Sequence, residues 1–400
     1  MFVRVFEVFL RFLLLGCISF GGPAAHIGYF QNIFVVKLKW LDQHTYGTFL
    51  SLSQFLPGPG SSQLGFSIGM HRAGISGGIA AFIGFTLPSF ILLYFLAVNI
   101  DSDPSALING VIKGLKLLAV VVVADACITM FSSFAKTQIT KTVTILTTIT
   151  MLLIPHLFTQ IFLLIFFALI GVIFYNNFII NNKLNNNKNV KNEMQLKSTF
   201  HKKNILALFL FLFPFIYMLI APLVSSTISP HVNFFNQFYQ AGSMVFGGGH
   251  VVLPLLQQAL GDSLSTDSFM IGYASAQAVP GPMFTLATFL GANLTPDNAL
   301  IGAIVSTLAI FLPGFLLLIA IHDSWQYIAN KKKVLAIIAS INAAVVGFLI
   351  SALYQPVFIS AVMSSKDIAL VISGFYLLRV IKLPIIALVI LFVAIGFFLY

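Results

Sequence analysis

The sequence predicts an all-α polytopic membrane protein built from two inverted-topology repeats with broken or re-entrant helices. Three observations carry that expectation. Of 400 residues, 58% are hydrophobic and 8% are charged, with a mean hydropathy of +0.99. So few charges cannot clothe the water-facing surface of a soluble protein of this size, whereas lipid is as apolar as leucine. Apolar runs of bilayer length recur along the chain. Three glycine and proline landmarks also recur, in the same order, in its two halves.

Five runs are long enough to cross a bilayer unaided: 75–98, 106–134, 204–224, 300–321 and 334–354. Other apolar stretches are interrupted by Gly and Pro. These are 5–20 with 24–36 and 49–56 with 61–69, then 234–246 with 251–259 and 269–279 with 283–291. Each half closes on a pair of shorter runs, 143–154 with 157–175 and 368–378 with 384–400. Residues 176–203 are rich in Asn and Lys, the composition of a solvated linker. The chain therefore divides into an N-terminal repeat at 1–175, a polar linker at 176–203 and a C-terminal repeat at 204–400.

Charge sets the expected orientation. Lys37, Lys39, Arg72, Lys136, Lys141, the linker and Lys331 to Lys333 lie between apolar runs, as the positive-inside rule asks of cytoplasmic loops. Asp101, Asp103, Asp262, Asp267 and Asp297 lie in loops without Lys or Arg and fall outside. The first half then enters its paired runs from the inside and the second from the outside. The run 204–224 is the extra span that turns the second half over. The formal charge of +10 is spent in these loops, so no nucleic-acid partner is expected.

The N-terminus reads as a retained helix, because Glu7 and Arg11 interrupt any signal-peptide core and stand one helical turn apart. Cys17 and Cys127 read as buried small hydrophobes. Trp40 and Trp325 read as interfacial belt residues. His44, His71, His156, His201, His231 and His322 read as loop or interface residues, with no metal-site spacing among them. No metal or other cofactor is expected, and no phosphate-loop motif is present to supply ATP drive. About one acid per half lies in an apolar run, too few for the catalytic set of a membrane enzyme.

The first landmark is an aromatic residue with paired glycines: Phe20, Gly21, Gly22 and Pro23 against Phe246, Gly247 and Gly248. The second is a Gln followed by Pro-Gly-Pro: Gln54, Pro57, Gly58 and Pro59 against Gln277, Pro280, Gly281 and Pro282. The third is a proline inside a long run, Pro88 against Pro313. The offsets are 226, 223 and 225 positions. Pro-Gly-Pro cannot continue a helix, and broken backbone is tolerated at membrane depth only where protein or a polar cavity surrounds it. The half-helix that restarts at Gly60 presents free N–H groups with Ser61, Ser62 and Gln63, a combination suited to an anion. His26 and His250 each follow a diglycine break. Each could meet an anion or carry a proton, or simply bond loop carbonyls. Asp125 is either a proton relay or a partner of Lys113, Lys116 or Arg72. Glu7, His26, Asp125 and His250 are the proton-coupling candidates, and a solute path between the breaks is the expected use of the fold.

Residues 19–28, Lys39 with Trp40, Leu41 and Asp42, the stretch 54–59 and the stretch 85–89 together resemble the chromate transporter (CHR) family, of the long two-repeat type. The stretch from Phe246 to Pro282 looks like its second repeat. The resemblance implies a multi-pass protein of the bacterial inner membrane, in contact with lipid, that exports chromate. Sulfate or a related oxyanion is an alternative cargo. Coupling to the proton gradient is one expectation; an oxyanion channel using the same helix tips is the alternative. A homodimer is left open. The family places a hydroxyl directly after the first Pro-Gly-Pro, where this chain has Gly60 and then Ser61 and Ser62. In the second half, Met283, Phe284 and Thr285 follow the motif and offer fewer hydroxyls, so an asymmetric anion site weighted to the first half is expected. A tag inserted in 176–203 should report as cytoplasmic; labelling from the outside by an impermeant reagent would overturn this topology.

Overall fold

The computed structural model describes residues 2–20, 22–99, 106–174, 202–224, 230–245, 252–325 and 331–400. Gly21, Asp101, Asp103, the linker residues 176–201, Phe246, Gly247, Gly248 and His250 lie outside the described residues. The described residues are helical, with no strand among them. Four helices are long and apolar enough to cross a membrane, within Gly60–Asn99, Asn109–Phe134, Pro296–Ser324 and Lys333–Ala361.

The first half opens with α1 (Phe2–Ile18) and α2 (Gly22–Phe30), which runs on as a π-helical stretch to Lys37. Phe12 stacks on Phe34 at 4.8 Å and meets Phe30 edge-on at 5.4 Å, so α1 and α2 fold back as a hairpin. Next come α3 (Gln43–Phe55) and α4 (Gly60–Asn99). The ring of Phe49, midway along α3, lies 5.8 Å from that of His71, at the end of the first arm of α4. These two segments also form a hairpin, with Pro57, Gly58 and Pro59 at its tip. Thirteen residues of helix reach about 20 Å, short of a ~30 Å hydrocarbon core, so α3 dips in and the chain returns. At Ala73 and Gly74 the backbone leaves helical angles and α4 reverses. Gly69 and Gly77 then pack so closely that a Cβ on either would sit within 2.3 Å of the other's carbonyl oxygen. The second arm of α4 crosses the molecule.

The second half repeats this plan. After α8 (Lys202–Val224), α9 (Pro230–Met244) packs against α10 (Val252–Leu260). Then α11 (Thr266–Ala278) and α12 (Leu286–Leu294) form a hairpin with Pro280, Gly281 and Pro282 at its tip, Gly272 facing Phe289. A turn at Pro296–Asn298 leads into the long helix α13 (Ala299–Ile321). Ser306 Oγ donates to the Ala287 carbonyl at 2.7 Å across that turn. Helix caps recur with the landmarks. Asp42 accepts the Thr45 N–H at the start of α3, and Ser265 accepts the Ser268 N–H at the start of α11. The Thr45 backbone bond holds the exposed Asp42 carboxyl below its ordinary pKa.

The hairpins of the two halves open at opposite ends of the crossing helices. His322, just past α13, lies 5.5 Å from Phe49, whose ring also meets His71 at the base of the first set. Ala97 and Val98, at the far end of α4, border a cavity with Thr266, Asp267, Pro296 and Ala299 at the base of the second.

The remaining helices exchange partners between halves. They are α5 (Ala106–Phe134), α6 (Gln138–Leu153) and α7 (Leu157–Ile173), then α14 (Lys332–Ala352), α15 (Ser365–Arg379) and α16 (Ile385–Leu399). Helix α5 packs on α15 and α16, while α14 packs on α6 and α7. A Cβ on Gly110 would lie 2.4 Å from the Gly396 carbonyl, and one on Gly114 would lie 2.0 Å from that of Phe392. On the other side, Gly171 abuts Ala336 and Ser340 in the same way. Such small-residue seams let helix backbones approach where there is no hydrophobic drive for association.

Several side chains sit elsewhere than the sequence suggests. Cys17 is exposed, on the lipid-facing side of α1, whereas Cys127 is buried. Trp325 is buried against Phe55 at 4.4 Å rather than lying in a belt. Trp40 packs at a tilt against Phe34, 4.8 Å between ring centroids, and receives the Arg72 guanidinium 5.0 Å from its ring. Glu7 pairs with Arg72 at 3.0 Å, not with Arg11, because the hairpins bring their bases together. Asp125 pairs with Arg379 of α15 instead of the lysines of its own helix. Those lysines are engaged across the halves, Lys113 with Asp367 and Lys116 with Asp267. Replacing Gly114 by Leu should force α5 and α16 apart and lower stability by about 3 kcal/mol; thermal unfolding of the purified variant checks it.

Candidate functional site

At the tips, each Pro-Gly-Pro carries an N–H that its own chain segment cannot satisfy, because the helix has stopped. Each is satisfied by the opposite half. The Gly58 N–H donates to the Val245 carbonyl at 2.7 Å, and the Gly281 N–H donates to the Ser19 carbonyl at 3.0 Å. Ser19 and Val245 occupy matching places, directly before the first and second aromatic–diglycine elements. The prolines inside the long helices complete the exchange. A Cβ on Gly58 would stand 2.9 Å from Gly314, next to Pro313, and one on Gly281 would stand 2.9 Å from Ser89, next to Pro88. Both glycines hold positive φ, 122° and 108°, so no other residue fits without strain. The Pro-Gly-Pro of each half therefore meets the residue before the other half's first landmark and the residue after its third-landmark proline.

Two of the sequence-selected residues, His26 and Ser61, meet directly in the first half. His26, 0% exposed, lies with Nε2 3.2 Å from the Ser19 carbonyl oxygen and Nδ1 3.3 Å from Ser61 Oγ. A carbonyl can only accept, so Nε2 donates; in the neutral ring Nδ1 then accepts the Ser61 hydroxyl. The Ser19 carbonyl is thus shared by His26 and Gly281, and it joins the two tips. Gln63 Nε2 donates to the carbonyls of Pro57 at 2.9 Å and Gly314 at 3.0 Å, bracing the same junction. Helix α4 restarts with the N–H groups of Gly60, Ser61 and Ser62 ahead of its first backbone bond, from the Gln63 N–H to the Pro59 carbonyl.

Four side-chain atoms around this junction are buried without a hydrogen-bond partner: Ser19 Oγ, Ser62 Oγ, Gln63 Oε1 and Thr86 Oγ1. Unmet polar atoms in a buried place are costly, and a ligand or water that binds them relieves that cost. The second tip is different. Thr285 Oγ1 donates to the Pro282 carbonyl at 2.6 Å, and Gln277 Nε2 reaches Met283 Sδ. The junction is accordingly asymmetric, with its open hydroxyls in the first half. No group of metal-ligating side chains occurs among the described residues.

The structure separates the other candidates from the junction. Gln54 is exposed on α3, because the buried face of that helix runs through Tyr46, Phe49, Leu52 and Ser53. Gln277 at the matching place is buried. Glu7 lies in its ion pair at the hairpin base, about 18 Å along α1 from Ser19. Asp125 lies with Arg379 and Thr129. Phe20 and Pro23 neighbour Gly22 in sequence, and a Cβ on Gly22 would lie 3.8 Å from Met283 Sδ beside the second tip. Sequence reasoning passed over Ser19, Thr86, Ser89 and Gly314 as site residues. The first two flank landmarks it did identify, and the last two follow the third-landmark prolines directly.

The chromate transporter family model matches residues 6–173 and 232–397, two segments that correspond to the two halves. An uncharacterized transporter of Methanocaldococcus jannaschii is 29% identical over 83% of this chain and 80% of its own length. A chromate transport protein of Pseudomonas aeruginosa is 25% identical over 86% of this chain and 79% of its own. A probable chromate transport protein of Synechococcus elongatus is 23% identical over 85% and 81%. No solved structure matches the chain. With both halves matched and the apolar helices in place, the chain is a multi-pass membrane protein that belongs to the chromate transporter family.

Proposed function

We propose that the protein is a secondary active transporter that exports chromate, or a related tetrahedral oxyanion such as sulfate, across the bacterial inner membrane. In this reading the halves are inverted repeats, 1–175 and 204–400, joined by a cytoplasmic linker. The anion is held where the broken tips converge. The observation that carries the reading is the set of buried, unpartnered polar atoms beside the free helix start at Gly60, Ser61 and Ser62. Chromate is a small dianion with four acceptor oxygens. Backbone N–H groups, hydroxyls and a helix N-terminus match it without a fixed counter-charge, so release is not opposed by a buried cation. Relatives that bear the name chromate transport protein support the choice of cargo.

Proton coupling is assigned to His26, the titratable side chain at the junction among the described residues. Its imidazole touches both Ser61 and the carbonyl that ties the tips together. Protonation would replace the Nδ1 lone pair with a donor and break the bond it accepts from Ser61, which would free that hydroxyl. Glu7 and Asp125 are occupied by arginines and take no part in this scheme.

Uptake of radiolabelled chromate and sulfate into inverted vesicles, with and without a proton gradient, tests cargo, direction and coupling together. Saturable chromate uptake that the gradient accelerates is expected; linear, gradient-independent flux would sink the coupled-transporter reading. Replacing Gly58 or Gly281 by Leu should abolish that uptake while insertion into the membrane persists. Replacing Ser61 and Ser62 together by Ala should weaken the apparent affinity roughly tenfold or more. An unchanged half-saturation concentration in the double variant would place the anion elsewhere.

A further inference from the structure

A cavity of about 570 Å³ lies away from the junction, walled by both halves. Its lining includes Gln160 near the start of α7, Gln257 and Gln258 near the end of α10, and Ser351 and Gln355 at the end of α14. Thr266 at the foot of α11 also borders it, which sets it about 20 Å from the Pro-Gly-Pro tip, one hairpin arm away. Glutamines are unusual company for one another in an apolar bundle. Gln160 is 0% exposed, and neither its Nε2 nor its Oε1 has a partner. Gln258 Oε1 is buried and unpartnered as well. At Gln355 the chain leaves the helical conformation, within a π-helical turn from Leu353 to Phe358. Such turns inside helices are frequent at functional places.

We infer that this cavity is a second anion-binding site, a vestibule in which a partly hydrated oxyanion waits between the solvent and the junction. The inference extends the proposed transport reading and depends on it for the identity of the ligand. Two features select an anion. Among the described residues the lining contains no carboxylate to hold a cation. Amide NH₂ groups and the Ser351 hydroxyl supply donors. A smaller adjoining cavity shares Gln257, Thr266 and Gln355 and is bordered by the Lys116–Asp267 ion pair, which adds no net charge. Neutral donors make a shallow well, and conduction between successive sites requires binding that is favourable yet easily reversed. The volume exceeds that of one bare tetrahedral anion, leaving room for water to complete its shell.

The test is equilibrium binding of radiolabelled chromate to the purified full chain in lipid nanodiscs, with sulfate as competitor. Wild type should bind one more anion per chain than the double variant Gln160→Leu with Gln258→Leu. The double variant Ser61→Ala with Ser62→Ala should keep the vestibular anion. If the serine variant binds as wild type does and the glutamine variant loses an anion, the junction reading fails and the vestibule stands. Unchanged stoichiometry in a well-folded glutamine variant overturns the vestibule alone. Should that variant misfold, Gln257→Cys in a background of Cys17→Ser and Cys127→Ala supplies the answer. Its modification by an anionic thiosulfonate should be slowed about threefold or more by chromate or sulfate and not by urea. Equal rates with and without oxyanion, or protection by urea as well, overturn the proposal.

Discussion

A backbone N–H in hydrocarbon must find an acceptor, and that requirement governs this molecule more than any side-chain contact. Two helices stop at Pro-Gly-Pro, α3 at Phe55 and α11 at Ala278. A stopped helix would be intolerable alone. It is made tolerable by matching stops in the other half, so that Gly58 finds Val245 and Gly281 finds Ser19. The glycines are fixed by the same requirement. Each lies at positive φ and close against the opposite half's long helix, at the point marked by Pro313 or Pro88. What looks in the sequence like a scatter of helix breakers is a set of mutually dependent joints.

The class of fold and the positions of the joints were legible in the sequence, because Gly and Pro report backbone conformation directly and hydropathy reports the solvent. Offsets near 225 identified which residues recur. They could not show which residues touch, since recurrence is a relation within one dimension. Hence the exchange of landmarks between halves, and the pairing of α5 with α16, came only from the structure. Local neighbours misled in the same way for charges. Glu7 and Asp125 were matched with nearby cations, yet their partners Arg72 and Arg379 stand 65 and 254 positions away.

Gln54 and Gln277 show a further limit. They sit at matching places before the two motifs, yet one is exposed and the other is buried. Helix α11 is enclosed by α5, α12 and α16, while α3 is covered mainly by α4. Equivalent positions in a repeat share a backbone role without sharing an environment. Function can therefore diverge between halves that remain alike in fold, and the junction reflects this in its open hydroxyls on one side and Thr285 turned back onto its own chain on the other.

The exchange of end helices has a mechanical consequence. Each half clasps the other twice, through Gly110 and Gly114 against Gly396, and through Gly171 against Ala336 and Ser340. Two bodies clasped at both flanks cannot hinge apart like the shells of a clam without tearing those seams. The flanking helices then act as a collar, and inside it α1 and α9 are seamed to the long helices in the same way, at Gly16 and Gly84 and at Gly242. In the proposed transport reading, passage of an anion has to be accommodated without parting those seams.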